Sequence, residues 1–267
     1  MARRQEAMEP RLLCTGTDGL GAAVAVELAR RDWFVACQAA AQSDAGAAAH
    51  AAQQAAEQNA GDARAEAFGA DLSDAERREQ LVENVLDAFG RVDLLVAASM
   101  GRAGRPADLL ELDGADLLEA VEATMTPTAM LTQLVAREMV RQVESALVEN
   151  PRIVTINSIA AYTTSGDHGP HCVARAALAM WTKLLADRLG EHGIGVYEVR
   201  VGMISGGAGD PAHETYDDLI AEGLTPLRRW GRAGDVARAV AAVAEGLLSF
   251  STGEVINVDG GFHLRRL

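Results

Sequence analysis

The sequence Arg-Leu-Leu-Cys-Thr-Gly-Thr-Asp-Gly-Leu-Gly, at residues 11–21, joins a short apolar run to a turn that contains three glycines. This pattern predicts a buried β-strand near 11–15, a tight turn, and a helix over 19–31. Beyond it, short apolar runs alternate with longer amphipathic stretches along the rest of the chain. Because that alternation is typical of βαβ units around a parallel sheet, we predict a doubly wound α/β fold with three layers.

The same pattern predicts one domain over residues 1–267, without a linker or an internal repeat. The predicted strands are 11–15, 33–37, 64–68, 92–98, 152–157, 194–200 and 254–258. The predicted helices are 19–31, 43–60, 73–89, 114–148, 170–191 and 234–247. The Ala- and Gln-rich helix 43–60 is expected to face solvent. The stretch 202–222, which contains the run GGAGDP, predicts a loop and a short helix that act as a lid over the mouth of the sheet.

Charge and hydropathy exclude several classes of function. The chain carries 38 acidic and 24 basic residues, and its formal net charge of −14 would repel a phosphate backbone. No stretch approaches the roughly 18 uninterrupted apolar residues of a membrane span, and the start MARRQEAMEP lacks the apolar core of a secretory signal. We therefore expect no nucleic acid and no membrane as partner, and a cytoplasmic location. Cys14, Cys37 and Cys172 are too scattered to predict a disulfide framework or a metal site.

Several short motifs in the chain are typical of one protein family. They are Cys14-Thr15-Gly16, Gly69-Ala70-Asp71-Leu72, Val92-Asp93-Leu94-Leu95-Val96, Ile153-Val154-Thr155-Ile156-Asn157-Ser158, GIGVYEVR at 193–200 and TGEVINVDGG at 252–261. With these motifs in this order, the chain resembles the short-chain dehydrogenase/reductase family over nearly its whole length. Within the family it is most similar to the 3-oxoacyl-(acyl carrier protein) reductase group. The resemblance implies a Rossmann-type fold with a nicotinamide dinucleotide at the carboxyl ends of the strands.

The glycine loop departs from the family pattern. The family has three residues between the first two glycines, whereas here Gly16, Gly19 and Gly21 leave only two residues in that gap. Such a loop brings backbone N–H groups and a helix N-terminus onto the pyrophosphate, so its length decides where each N–H points. Asp18 stands just before Gly19. A carboxylate about 5 Å from a phosphate costs about 3 kcal/mol at an effective dielectric of about 20.

Other positions that contact the cofactor in the family are also changed. The run Gln38-Ala39-Ala40-Ala41 offers neither the acid for a ribose hydroxyl nor the arginine for a 2′-phosphate. Asp71 and Leu72, which the resemblance would place against the adenine, are kept, although an Asp after a strand is also a common helix cap. After the fourth strand, the family's Asn-Asn-Ala-Gly is replaced by Ala-Ala-Ser-Met, which begins at Ala97. Together these changes predict that NADH and NADPH bind weakly or not at all.

The resemblance also assigns four catalytic positions, which hold Asn, Ser, Tyr and Lys in the family. In this chain they are Thr124, Ser158, His171 and Arg175. In the family the tyrosine donates a proton, the lysine lowers its pKa, the serine orients the carbonyl and the asparagine holds a water. Only the serine is kept here.

The altered residues suggest a different chemistry. His171 and Arg175 are one helical turn apart, so we expect them to project together toward Ser158. A neighbouring guanidinium disfavours imidazolium, so His171 is expected to be neutral and to suit a general base better than an acid. The fork of Arg175 suits a small anionic ligand. The alternative is that the histidine is a capping or surface residue, that the arginine pairs with an acid, and that the serine holds a strand end.

Three functions remain open from the sequence. The first is a non-catalytic subunit, which would explain why the cofactor and the catalytic positions are altered together. The long apolar stripes of helices 114–148 and 170–191 predict that it assembles, in a homo-oligomer such as a tetramer or in a hetero-oligomer with an active paralogue. The second is a cofactor-independent enzyme that uses the Ser-His-Arg site. The halohydrin dehalogenases, a cofactor-free branch of the family, also carry Arg at the Lys position, although they keep the tyrosine. The third is an NAD(P)H-dependent 3-oxoacyl or ketone reductase with His171 in place of the tyrosine.

Overall fold

A computed structural model describes residues 9–17, 19–59, 61, 64–99, 101, 106–206 and 212–265. Its centre is a seven-stranded sheet in the order β3-β2-β1-β4-β5-β6-β7, and every pair of neighbours is parallel. The strands are β1 (Arg11–Cys14), β2 (Phe34–Ala39), β3 (Ala65–Gly69), β4 (Leu94–Ala97), β5 (Arg152–Ser158), β6 (Gly195–Val201) and β7 (Glu254–Val258). The predicted doubly wound α/β fold is confirmed, and the strand order reverses between β1 and β4, where such sheets bind ligands.

Helices cover both faces of the sheet. They are α1 (Leu20–Ala29), α2 (Gln42–Gln58), α3 (Ala75–Phe89), α4 (Gly114–Glu144), α5 (Gly169–Gly190), α6 (Ala212–Ala221) and α7 (Ala233–Ala244), with a 3₁₀ turn at Ile159–Ala161. Each predicted helix is present within a few residues of its expected bounds. None of the helices in the described ranges is long and apolar enough to span a bilayer. Part of the lid predicted at 202–222, residues 207–211, lies outside the described residues, and α6 is its short helix.

The sheet is buried from both sides. Along β1, Leu12 and Cys14 contribute to one apolar layer together with α1, α2 and α7, whereas Leu13 contributes to the other together with α3 and α4. This double burial explains why the strands are nearly continuous apolar runs. Burial also raises the pKa of the Cys37 thiol to about 12, so this thiol stays protonated and unreactive.

Helix α2 is not the solvent-facing helix that its composition predicts. Six of its alanines are buried, and the helix packs against α1, β2 and β3. The buried alanines are Ala45, Ala48, Ala49, Ala52, Ala55 and Ala56. Their spacing of three and four residues forms one face of a helix, and small side chains let that face pack closely against its neighbours. Only the opposite, Gln-rich face is in water.

Candidate functional site

The glycine loop after β1 uses its N–H groups internally. The carbonyl oxygen of Gly16 accepts hydrogen bonds from the N–H groups of Gly19 (3.1 Å) and Gly21 (3.2 Å). Thr17 donates both its N–H (3.0 Å) and its hydroxyl (2.9 Å) to the carbonyl oxygen of Gln38. Asp18 lies outside the described residues. Four N–H or hydroxyl donors of the loop therefore bond to the protein's own carbonyl groups.

Gln38 completes this closed arrangement. Its side chain is buried, with Oε1 accepting the N–H of Gly16 (3.4 Å) and Nε2 donating to the carbonyl oxygen of Ala70 (2.7 Å). The amide thus bridges the segments that follow β1 and β3, across the end of β2. The sequence shows that this position lacks an acid or arginine, but it does not show that the glutamine spans the site. The available signal is one polar residue in the apolar run Phe-Val-Ala-Cys-Gln-Ala of a fully buried strand.

The cleft that remains at this point is small. Its volume is about 140 Å³, which is below the roughly 300–1,000 Å³ of most small-molecule sites. It is lined by Gly16, Gln38, Ala39, Ala40, Ala70, Asp71, Leu72, Ser73, Ser99, Ala123 and Pro127. Ala97, at the end of β4, is buried beneath this region, and Met100 lies outside the described residues.

The two kept adenine-side residues both have structural partners. Oδ1 of Asp71 accepts the N–H (2.9 Å) and the hydroxyl (2.8 Å) of Ser73, and these bonds hold the pKa of Asp71 below its usual value. Leu72 is buried in the core. The cap of α3 is Asp74, not Asp71, since Oδ1 of Asp74 accepts the N–H groups at the start of that helix. The role of Asp71 and Leu72 toward an adenine stays a prediction.

Thr124 lies where the family's asparagine is expected, in the middle of α4 and against the segment that follows β4. A Cβ added to Gly101 would be 2.9 Å from Oγ1 of Thr124 and 2.8 Å from the carbonyl oxygen of Ala123. The threonine is buried, and among the described residues its Oγ1 has no hydrogen-bond partner. The segment packs so closely on Thr124 because the residue at position 101 has no side chain.

Ser158 ends β5, as expected, and its hydroxyl has a local structural role. Oγ accepts the N–H of Ala160 at 3.2 Å and so caps the 3₁₀ turn. The preceding Asn157 accepts the N–H of Ser158 through Oδ1 (2.9 Å) and donates through Nδ2 to the carbonyl oxygen of Arg175 (3.0 Å). These bonds tie the end of β5 to α5, the helix that carries the other altered positions.

His171 and Arg175 occupy successive turns at the start of α5. Burial, the Arg175 guanidinium and His168, in that order, lower the pKa of His171 to about 4, so the imidazole is neutral at pH 7. The predicted direction is confirmed, although the main cause, burial, was not foreseen. Nδ1 of His171 is buried and has no hydrogen-bond partner among the described residues. A neutral imidazole can accept a proton but cannot donate one to a nascent alkoxide as readily as the family's tyrosine.

Arg175 lies inside the protein. Its side chain is 1% exposed, and burial lowers the pKa of its guanidinium to about 10. The structure therefore does not present this cation at the open surface of the cleft. Binding of a small anion by Arg175 stays a prediction, and such an anion would have to reach a buried group.

A tyrosine lies near the site, but its environment does not activate it. Tyr162 follows Ser158 by four residues, and its hydroxyl donates to Oδ2 of Asp259 at 3.4 Å. Burial and the Asp259 carboxylate raise the pKa of Tyr162 to about 12, although the guanidinium of Arg200 lies 5.1 Å from the ring centroid and acts in the opposite direction. The family's mechanism requires a lowered tyrosine pKa, so Tyr162 does not replace the missing acid.

Replacing Arg175 by Met is expected to raise the pKa of His171, because the substitution removes the positive charge while keeping much of the side-chain volume. Burial is the larger cause, so the pKa should stay below the ordinary 6.5. NMR titration of the imidazole resonances in both proteins measures the shift, with the His50 resonances as an internal control. An unchanged or lowered His171 pKa would show that the two side chains do not interact.

The depressed pKa of His171 also predicts acid sensitivity. The unfolded chain binds the proton at pH values where the folded protein does not, so this group's contribution to stability is full above about pH 6.5 and is lost as the pH falls toward 4.

Comparison with known proteins places this geometry in a family. The family model described as Enoyl-(Acyl carrier protein) reductase matches residues 15–263. A 3-oxoacyl-[acyl-carrier-protein] reductase of Haemophilus influenzae is 30% identical over 257 residues, which cover 94% of this chain and 97% of the relative. A cyclohexanol dehydrogenase of a Rhodococcus species is 31% identical over 204 residues, 74% of this chain and 73% of the relative.

Solved structures agree with the sequence comparison. The crystal structure of a 3-oxoacyl-[acyl-carrier protein] reductase from Brucella melitensis in complex with NAD superposes with a TM-score of 0.88 at 32% identity, over 97% of this chain and 99% of that one. Its similarity therefore extends over the sheet, both helical layers and the C-terminal segment. On these matches and on its sheet order, the chain belongs to the short-chain dehydrogenase/reductase family.

Proposed function

We propose that this chain is a member of the family that does not transfer hydride, binds neither NADH nor NADPH, and functions as a subunit of an oligomer. The observation that carries the proposal is the closed glycine loop, in which Gly16, Gly19, Gly21 and Thr17 bond to carbonyl or amide groups of the protein. A pyrophosphate would have to compete with these bonds, and a buried donor or acceptor left unpaired costs about 1–3 kcal/mol.

The altered tetrad supports the same proposal independently. Hydride transfer to a ketone needs an acid for the alkoxide, and His171, with a pKa of about 4, is neutral at pH 7. Arg175 is buried at the position where the family's lysine lowers the tyrosine pKa. These observations support a chain in which both the cofactor binding and the proton donation of the family's reaction are impaired.

Family membership supports a second candidate, an NAD(P)H-dependent 3-oxoacyl or ketone reductase that uses His171 as its acid. The match to reductases over nearly the whole chain favours it. In that case a bound dinucleotide would displace the Gln38 amide and reopen the loop. The two candidates differ in whether the original chain transfers hydride, and a change of the tetrad alone tests whether the loop also prevents it.

The double substitution His171→Tyr and Arg175→Lys separates the candidates. We expect no ketone-dependent NADPH or NADH oxidation by the original chain or by the double variant, because the loop change remains in both. An acetoacetyl thioester and cyclohexanone are suitable substrates, and the Haemophilus influenzae relative serves as the positive control. Ketone-dependent cofactor oxidation by the original chain would show that the second candidate, the reductase, is correct. Turnover by the double variant alone would show that a cofactor does bind and would refute the proposed closed loop.

A further inference from the structure

A second group of polar side chains lies apart from the altered tetrad, in the segment after β6. Backbone hydrogen bonds hold Ser205 there. Its N–H donates to the carbonyl oxygen of Gly231 (3.0 Å), and the N–H of Gly231 donates to the carbonyl oxygen of Met203 (2.9 Å). Ile204 and Gly231 form a parallel bridge between these bonds. Two segments distant in sequence therefore fix the position of the serine.

His213, near the start of α6, joins Ser205 to a carboxylate. Its Nε2 is 3.0 Å from Oγ of Ser205, and its Nδ1 is 2.8 Å from Oδ1 of Asp217, one helical turn further on. A carboxylate can only accept, so the proton of the neutral imidazole resides on Nδ1. The lone pair of Nε2 then faces the serine hydroxyl, which donates to it.

Trp230 holds this arrangement in place. Its indole N–H donates to Oδ1 of Asp217 at 2.6 Å, and its ring lies 4.5 Å from the ring of His213 with a tilt of 35°. The bonds from Trp230 and His213 keep the pKa of Asp217 below its usual value, so the carboxylate stays ionised at neutral pH. The Trp230 side chain thus orients both the imidazole of His213 and the carboxylate of Asp217.

We propose that Ser205, His213 and Asp217 form a nucleophile, a general base and a positioning carboxylate that transfer acyl groups from activated esters or thioesters to water, without a cofactor. The side chain of His213 is 32% exposed, so a small ester can reach the pair from solvent. The order of bonds, hydroxyl to imidazole to carboxylate, is what activates a serine, whose hydroxyl is a weak nucleophile by itself.

The reaction proceeds in two steps. Oγ of Ser205 attacks the carbonyl carbon while its proton moves to Nε2 of His213, and the leaving alkoxide or thiolate departs with that proton as the carbonyl re-forms. The product is an acyl ester on Ser205. Water then attacks the acyl carbon, its proton passes to Nε2 and on to Oγ of Ser205, and the carboxylic acid is released. Atoms and charge balance without an oxidant or a reductant.

Two experiments test the proposal. A fluorophosphonate should add one phosphonyl group to the full-length protein by intact mass, and peptide mapping should place it on Ser205. Hydrolysis of 4-nitrophenyl acetate and S-phenyl thioacetate should fall about 100-fold or more in both Ser205→Ala and His213→Gln, because a general base contributes roughly 10²–10⁴-fold and acts only through the serine. Asp217→Asn should lower the rate about tenfold, and Asp217→Glu should recover part of it.

Matched substitutions on exposed sites provide the controls. Ser43→Ala and His50→Gln, both in α2, should hydrolyse and label like the unchanged protein, and melting curves should confirm that every variant is folded. Labelling that is lost only in the Ser205 and His213 variants supports the proposal. No adduct on Ser205, or full hydrolysis by Ser205→Ala, would overturn it and would leave the His213–Asp217 pair as a surface contact of α6. The test is independent of NADH and NADPH.

Discussion

Replacing Glu198 by Ala is expected to lower the free energy of unfolding by about 3–5 kcal/mol, because it leaves the largely buried guanidinium of Arg200 without its carboxylate and removes one of the two acceptors of the Asn157 amide. Glu198 is 1% exposed and accepts from Nε (2.8 Å) and Nη2 (3.0 Å) of Arg200 and from Nδ2 of Asn157 (3.0 Å). Asn157 in turn holds Ser158 and the backbone of Arg175. Removal of the Glu198 carboxylate should therefore also loosen the end of β5 and the start of α5.

Urea unfolding of the Ala variant and of two comparison variants measures this effect. Glu198→Gln keeps the shape and one acceptor, so its loss should be smaller. Glu191→Ala removes the exposed partner of Arg188 and should cost no more than about 0.5 kcal/mol. Equal losses in Glu198→Ala and Glu191→Ala would mean that the Asn157-Glu198-Arg200 group is not a structural centre of the site.

Replacing Leu184 by Arg is expected to break the oligomer that we propose for this chain. The groove between α4 and α5 has a volume of about 640 Å³ and is largely apolar. It is lined by Gln133, Ala136, Arg137, Val140, Arg141, Trp181, Leu184, Leu185, Arg188 and Leu189. Leu184 is 58% exposed, and an unpaired apolar face of this size normally has a partner. An added arginine would place like charge beside Arg137, Arg141 and Arg188 in both copies.

Light scattering at micromolar concentration tests this expectation. The unchanged chain should form a particle of several 28.1-kDa chains, a tetramer being the expected state, and Leu184→Arg should give a dimer or a monomer. Leu110→Arg changes a leucine outside the groove that is 94% exposed, and it should leave the particle mass as it was. A monomeric unchanged chain, or an unchanged mass for Leu184→Arg, would contradict the assembly.

The fold was predictable because burial on both faces of a parallel sheet leaves a direct mark on the sequence. Runs such as Leu94-Leu95-Val96-Ala97 are continuous, and the helices between them begin at polar residues such as Asp74 and Asp113. Helix α2 is the exception, because its amino-acid composition does not predict that one of its faces is buried. Alanine is neither strongly apolar nor polar, so only the three-dimensional packing shows that one face of that helix is buried.

The sequence indicated which elements carry the candidate site residues, but not how deeply their side chains are buried or to which groups they bond. The resemblance to the family assigns His171 and Arg175 by their distance after Ser158, yet the depth of each side chain depends on how α5 packs on its neighbours, which the motif does not encode. The bridging role of Gln38 likewise depends on a rotamer. The contact between Ser205 and His213 joins a loop to a helix across residues 207–211, and no local periodicity signals such a pairing.

We propose that the glycine loop and Gln38 leave no site for a nicotinamide dinucleotide. Calorimetric titration of NADH and of NADPH into the unchanged chain measures this directly, with the Haemophilus influenzae reductase as a control. We expect no binding heat up to millimolar cofactor. A dissociation constant in the micromolar range for either cofactor would contradict it, because the Gln38 and Gly16 hydrogen bonds would then have to yield to the pyrophosphate.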